Sequence, residues 1–180
     1  KGMAVFMEGQ EAFKFLVSFI EQEKIDCKFT RCGHFLGAHS PGKFEYLKRR
    51  AQSESSEIGL EAHIVPRGEQ RREVGTDAFF GGILYPNNGA LDPGLYHKGL
   101  LRRVTEAGAR VFGHQPALGI KQDAGRHIVA TPSGPIEARD VVVATNGYTG
   151  PALPWWRRRV IPIGSYIIAT EPLPPDLMKK

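Results

Sequence analysis

The chain has 180 residues, 41% hydrophobic and 24% charged, which excludes a disordered chain and allows one domain or two small lobes with a real core. No run approaches the roughly eighteen apolar residues that span a bilayer, and no secretory signal is present, so a cytoplasmic setting is expected. The formal charge of +5 raises nucleic acid as a partner, but the basic groups at Lys48 to Arg50, Arg71 and Arg72, Arg102 and Arg103, and Arg157 to Arg159 are scattered and interrupted by acids such as Glu54, Glu57, Glu69 and Glu73. They read as solvated faces, and neither nucleic acid nor membrane is expected as a partner.

From the start, Phe13, Leu16, Val17 and Ile20 recur at helical spacing within Glu8 to Glu23, which predicts an amphipathic helix. Short strands are expected at Cys27 to Arg31 and His34 to His39. Ser40-Pro41 then supplies a cap and a first-turn proline for a second helix that ends at Gly59. Ala62 to Val65 reads as a strand, Glu69 to Val74 as a polar helical turn, and Ala78 to Tyr85 as an apolar strand. Asp92 and Pro93 open the third helix, along which Tyr96, Leu100 and Val104 recur every fourth residue until Gly108; Arg110 to Phe112 then begins a strand. From Leu118 the period drops to two, with strands at Leu118 to Lys121, His127 to Thr131, Ile136 to Ala138 and Val141 to Ala144, and Val160 to Thr170 reads as another. Prolines 172, 174 and 175 keep the closing residues irregular.

The stretch IEARDVVVATNGYTG, Ile136 to Gly150, is the richest in functional content. Val141 to Val143 form a β-branched run suited to a strand buried on both faces. Ala144, Thr145, Asn146 and Gly147 follow with little bulk and a glycine free to take positive φ, at the strand end where open α/β sheets place ligands. The same letters fit an ordinary Asn-Gly turn. Other chemistries find no support. The six histidines lie outside any H-E-x-x-H pattern, Cys27 and Cys32 form neither a C-x-x-C pair nor a zinc knuckle, and no G-x-S-x-G elbow is present, so a metal site and a hydrolase are both disfavoured.

In combination, the order GGILYPNNGALDPGLYHKGLLRRVTEAGARVF, a meander, EARDVVVATNGYTG and RRRVIPIGSYIIATEPL resembles the middle of FAD-dependent amine and amino-acid oxidoreductases of the D-amino-acid oxidase family, nearest to its γ-glutamylputrescine oxidase-like members, over Cys27 to Leu173. The resemblance implies a partial two-lobe α+β and α/β fold: a Rossmann-like FAD-binding lobe and a substrate lobe whose mixed sheet covers the flavin ring. It assigns residues 1–26 and 92–150 to the FAD lobe, 27–91 to the substrate lobe and 151–180 to a substrate-lobe strand. It also implies that Ala117 meets the adenine, that Ala144, Thr145, Asn146 and Gly147 lie near the cofactor's adenosine and phosphate end, and that Tyr166 runs past the substrate cavity. The implied reaction is oxidation of the C–N bond of a small amine or amino acid, with hydride passing to FAD and no catalytic protein residue named.

The chain departs from such enzymes in one respect above all. It contains no G-x-G-x-x-G, the motif that lets a helix N-terminus approach a pyrophosphate. The C-terminal part that completes the substrate lobe in relatives is also missing. It therefore reads as an interior fragment, expected alone to be inactive, to bind FAD poorly and to self-associate through uncovered apolar surface. The rival reading is a non-enzymatic basic interaction module that meets nucleic acid.

Overall fold

In the computed structural model the described residues are 2–164, 166, 171–174 and 176. They fall into two compact units, one through residue 110 and one from residue 111.

In the first unit the chain runs α1 (Gly2–Gln22), β1 (His34–Gly37), α2 (Pro41–Ile58), β2 (His63–Pro66), a 3₁₀ turn (Arg67–Arg72), β3 (Gly81–Tyr85) and α3 (Pro93–Glu106). The three strands form an antiparallel sheet in the order β1-β3-β2. Its register aligns Leu36, Ile83 and Ile64 across one face. Against that face α2 presents Leu47 and Ala51, which bury themselves with Ala38, Ile83 and Tyr85.

The start of α2 follows from its sequence. Ser40 Oγ accepts the Lys43 N–H at 3.2 Å with Pro41 just inside. At the other end Gly59 takes the left-handed conformation (φ 64°) and closes the helix on Ser55, as the C-terminal glycine stop predicts. The sheet also depends on an absent side chain, because a Cβ on Gly82 would sit 2.5 Å from the Leu36 carbonyl oxygen.

A second core joins α1 to α3. Ile20, Ile25 and Cys27 are buried there, with Leu16, Phe19, Leu91, Leu95, Tyr96 and Leu100 packed around them. Asp92 caps α3 by accepting the Leu95 N–H at 2.9 Å. The chain leaves this core and returns to it along two neighbouring segments. Thr30 and Ala90 exchange both backbone hydrogen bonds at 2.9 Å, flanked by Gly33 N–H to Asn88 O at 3.0 Å and Asp92 N–H to Cys27 O at 2.8 Å. The strand expected at Cys27 to Arg31 reduces to that single bridge.

The second unit is built on an antiparallel meander, β4 (Gly119–Asp123), β5 (Arg126–Thr131) and β6 (Gly134–Ala138). Ala124 and Gly125 both have positive φ (45° and 80°), the backbone of the tight hairpin turn whose twist matches its strands. Ile120, Val129 and Ile136 stand opposite one another and define one apolar face. No described residue of this unit is fully buried. After the meander come a 3₁₀ turn (Asn146–Tyr148) and α4 (Pro154–Arg157).

Three expected strands are corrected here. Residues 110–112 and 141–144 adopt no strand, and Val142 is 88% exposed. A run rich in valine has strand propensity, but a ladder requires a partner, and none of the described strands pairs with it. Residues 160–164 are likewise irregular, and Ser165 and Ile167 to Thr170 of that expected strand lie outside the described residues. Both sheets are purely antiparallel, so the mixed pairing expected of the substrate lobe is not found among the described residues. Among these residues no helix is long and apolar enough to cross a membrane.

Candidate functional site

The loop singled out in the sequence forms a turn with a defined backbone. Thr145 is in the right-handed helical region (φ −83°, ψ −9°) and Asn146 in the left-handed one (φ 47°). The positive φ therefore falls on Asn146, not on Gly147 as expected; asparagine tolerates this conformation because its short amide bonds locally. A right-handed residue followed by a left-handed one turns successive N–H groups towards one side, making a concavity suited to an anion. Among the described residues the N–H groups of Thr145, Asn146 and Gly147 donate to no backbone carbonyl.

Backbone and side-chain hydrogen bonds together fasten the turn. Tyr148 N–H donates to Thr145 O at 3.0 Å and Thr149 N–H to Asn146 O at 3.2 Å. The Thr149 hydroxyl donates to Asn146 O at 2.7 Å and lies 2.8 Å from the Thr145 hydroxyl. With the Thr149 proton committed to a carbonyl, the Thr145 hydroxyl must be the donor between the two, so the donors left to an approaching group are the backbone amides. Thr149 was not singled out in the sequence, although its position four residues after Thr145 is the signal for such a pair.

The other expected site residues are more scattered. Ala117 is exposed and immediately precedes Leu118, whose N–H donates to Ala130 O at 2.8 Å and opens the meander. No hydrogen bond joins Ala117 to residues 144–147 among the described residues. Tyr166 is 93% exposed, and its hydroxyl turns back towards Gly164.

In the first unit a buried phenol, a carboxylate and a guanidinium meet at the end of β3. The Tyr85 hydroxyl donates to Glu54 Oε2 at 2.9 Å, and Arg50 Nε donates to Glu54 Oε1 at 2.6 Å. Burial, reinforced by the Glu54 hydrogen bond and charge, pushes the Tyr85 phenol up to about 12. This chain of contacts was not foreseen, although Arg50 and Glu54 are one helical turn apart. Two further arginines of this unit are neutralised by acids. Arg103 pairs with Glu23 and Glu106 beside an open groove between α1 and α3, and Arg71 donates to Asp77 at 2.8 Å, holding that carboxyl below its usual range. No group of three metal-ligating side chains occurs among the described residues.

The arrangement of elements is that of part of a flavoprotein oxidase. The structure superposes on glycine oxidase from Geobacillus kaustophilus with a TM-score of 0.69 and 19% identity, covering 79% of this chain and 39% of that one. L-proline dehydrogenase from P. horikoshii superposes with a TM-score of 0.66 and 17% identity over 84% of this chain and 38% of that one. The chain belongs to the FAD dependent oxidoreductase family, whose model matches residues 4–180. Among curated proteins it is 27% identical over 160 residues to a probable oxidoreductase OrdL of Haemophilus influenzae, covering 86% of this chain and 37% of that protein. It is also 27% identical over 161 residues to the gamma-glutamylputrescine oxidoreductase of Escherichia coli, covering 89% and 37%. The chain thus spans about two fifths of the length of the relatives it matches, between 37% and 40%. The family resemblance read from the sequence is borne out, and the basic interaction module gains no support.

Proposed function

We propose that this chain is the central portion of a flavoenzyme that oxidises the C–N bond of a small amine or amino acid, and that its Thr145 to Gly147 turn holds part of the cofactor. The observation that carries the proposal is the right-handed, left-handed backbone pair at Thr145 and Asn146, whose outward N–H groups match an anionic phosphate. Ala144 leaves the approach unobstructed, and Ala117 lines the adenine end. FAD, when bound, accepts hydride from the carbon that bears nitrogen; the chain's own residues bind, orient and exclude water. Tyr166 borders the substrate space.

The lobes alternate along the chain in this reading. Residues 1–26 and 92–150 belong to the FAD lobe, 27–91 to the substrate lobe, and 151–180 to a substrate-lobe strand. The two cores of the first unit support it, since α1 packs with α3 while α2 packs with the sheet, and the paired segments around Thr30 and Ala90 carry the chain out and back. Because the 180 residues contain no G-x-G-x-x-G, the chain by itself binds FAD weakly and turns over no amine.

The test uses the product of the whole reading frame that encodes this chain. Purified protein should carry the visible absorbance of flavin, which an amine substrate bleaches without oxygen. A colourless protein that takes up no added FAD would overturn the proposal.

A further inference from the structure

One surface feature is left unexplained by the flavin reading and is independent of it. Trp155 and Trp156, the two tryptophans of the chain, stand side by side on α4, 50% and 48% exposed, with rings 4.7 Å apart and nearly perpendicular. Three exposed arginines follow at once. The Arg159 guanidinium lies 3.6 Å over the Trp155 ring and donates to the Trp155 carbonyl at 2.8 Å. None of Arg157, Arg158 and Arg159 pairs with an acid among the described residues, whereas Arg71 and Arg72, and Arg102 and Arg103, are each answered by a glutamate or aspartate.

Half-exposed indoles beside unanswered cations have a specific physical preference. Indole settles at the boundary between headgroups and acyl chains, where its apolar body is covered and its N–H stays wet. Arginines beside it gain from the negative potential of an anionic leaflet. We propose that Trp155 to Arg159 is a contact site for an anionic lipid surface, seating the protein peripherally with the indoles in the headgroup layer and the guanidinium groups on lipid phosphates. The complementarity of charge selects this occupant: a neutral apolar partner would leave three cations uncompensated. The site lies on a membrane and does not span it, consistent with the brevity of α4. This departs from the sequence expectation that Arg157 to Arg159 are simply solvated.

Both tryptophans of these 180 residues lie in the proposed site, so a change of indole emission that is lost when both become alanine reports on it. The product of the whole reading frame is mixed with vesicles of phosphatidylcholine alone or of equal parts phosphatidylcholine and phosphatidylglycerol, beside a vesicle-free control that reveals self-association. The expected result is co-sedimentation with the anionic vesicles only, a blue shift of the emission, and release as salt shortens the screening length to about 3 Å near 1 M. Each arginine changed to glutamine should weaken partition by about fivefold, the ordinary effect of one basic side chain at such a surface. Trp155→Ala with Trp156→Ala, followed by sedimentation, should weaken it further; far-UV circular dichroism establishes that these variants keep their fold. Absence of binding, equal and salt-insensitive binding to neutral vesicles, unchanged binding by the triple glutamine variant, or complete displacement by duplex DNA would each overturn the proposal.

Discussion

Tyr85 offers the most quantitative test of the packing. Its side chain is buried against α2 and donates to Glu54, and its phenol is pushed up to about 12 from an ordinary 10. Folding therefore favours the neutral form. Below pH 10 both folded and unfolded states hold the proton, and the stabilisation is fully present. Between 10 and 12 the unfolded chain loses its proton while the folded one retains it, so stability falls as pH rises through this window. Two pH units at 1.36 kcal/mol each amount to a loss of about 2 to 3 kcal/mol.

Replacing Tyr85 with Phe separates this loss from the titration of other groups, which cancels in the difference between the two proteins. Near neutral pH the variant forfeits one hydrogen bond to a charged acceptor, about 1 to 2 kcal/mol, at the low end because Arg50 continues to hold Glu54. At about pH 12 the order reverses, since ionised Tyr85 would sit beside a carboxylate and Phe would not. The assay is urea unfolding followed by far-UV circular dichroism, because the tryptophans report only on residues after 110. A difference in stability that stays flat from pH 9 to 12 would refute the reasoning. So would a spectroscopic titration in which all five tyrosines ionise together near 10.

Two further substitutions probe the backbone. Gly82→Ala drives a methyl onto the Leu36 carbonyl and the Phe35 ring and should cost about 2 to 3 kcal/mol, whereas Gly59→Ala, with φ 64° but open space around it, should cost about 1 kcal/mol; thermal melts decide between them. In the whole flavoenzyme, Asn146→Gly should keep flavin affinity and Asn146→Val lower it about tenfold, the cost of forcing a β-branched residue into left-handed backbone, read by equilibrium dialysis of FAD.

How much of this was legible in the sequence depends on whether each instruction is local. Ser40-Pro41, Gly59 and Asp92-Pro93 act within one helical turn, and each cap appears where those letters put it. The meander was readable for the same reason, because period-two alternation and a two-residue turn specify a hairpin without distant help. The first helix begins six residues earlier than Glu8, since Gly2 to Met7 continues it without a cap. The valine run is the opposite case. Its β-branched letters state a preference for a buried strand but name no neighbour, and in this chain Val142 stays exposed while the turn that follows is shaped by bonds among Thr145, Asn146 and Thr149.

The same distinction separates the two units. The residues through 110 contain two sets of fully buried side chains, whereas those from 111 contain none among the described ones. Ile120, Val129 and Ile136 form an apolar row across three hydrogen-bonded strands, in which Ile120 and Val129 are half-buried and Ile136 is exposed, so backbone pairing is satisfied with only partial burial. A sheet with one such face gains its main stabilisation from burial, not from its ladder, because hydrogen bonds to water replace most of what the ladder supplies. The second unit should accordingly be the less stable of the two, and its strand amides should exchange with solvent deuterium faster than those of the first unit's sheet. The turn at Thr145 to Gly147 can keep its shape meanwhile, since the bonds that set it are contained within five residues.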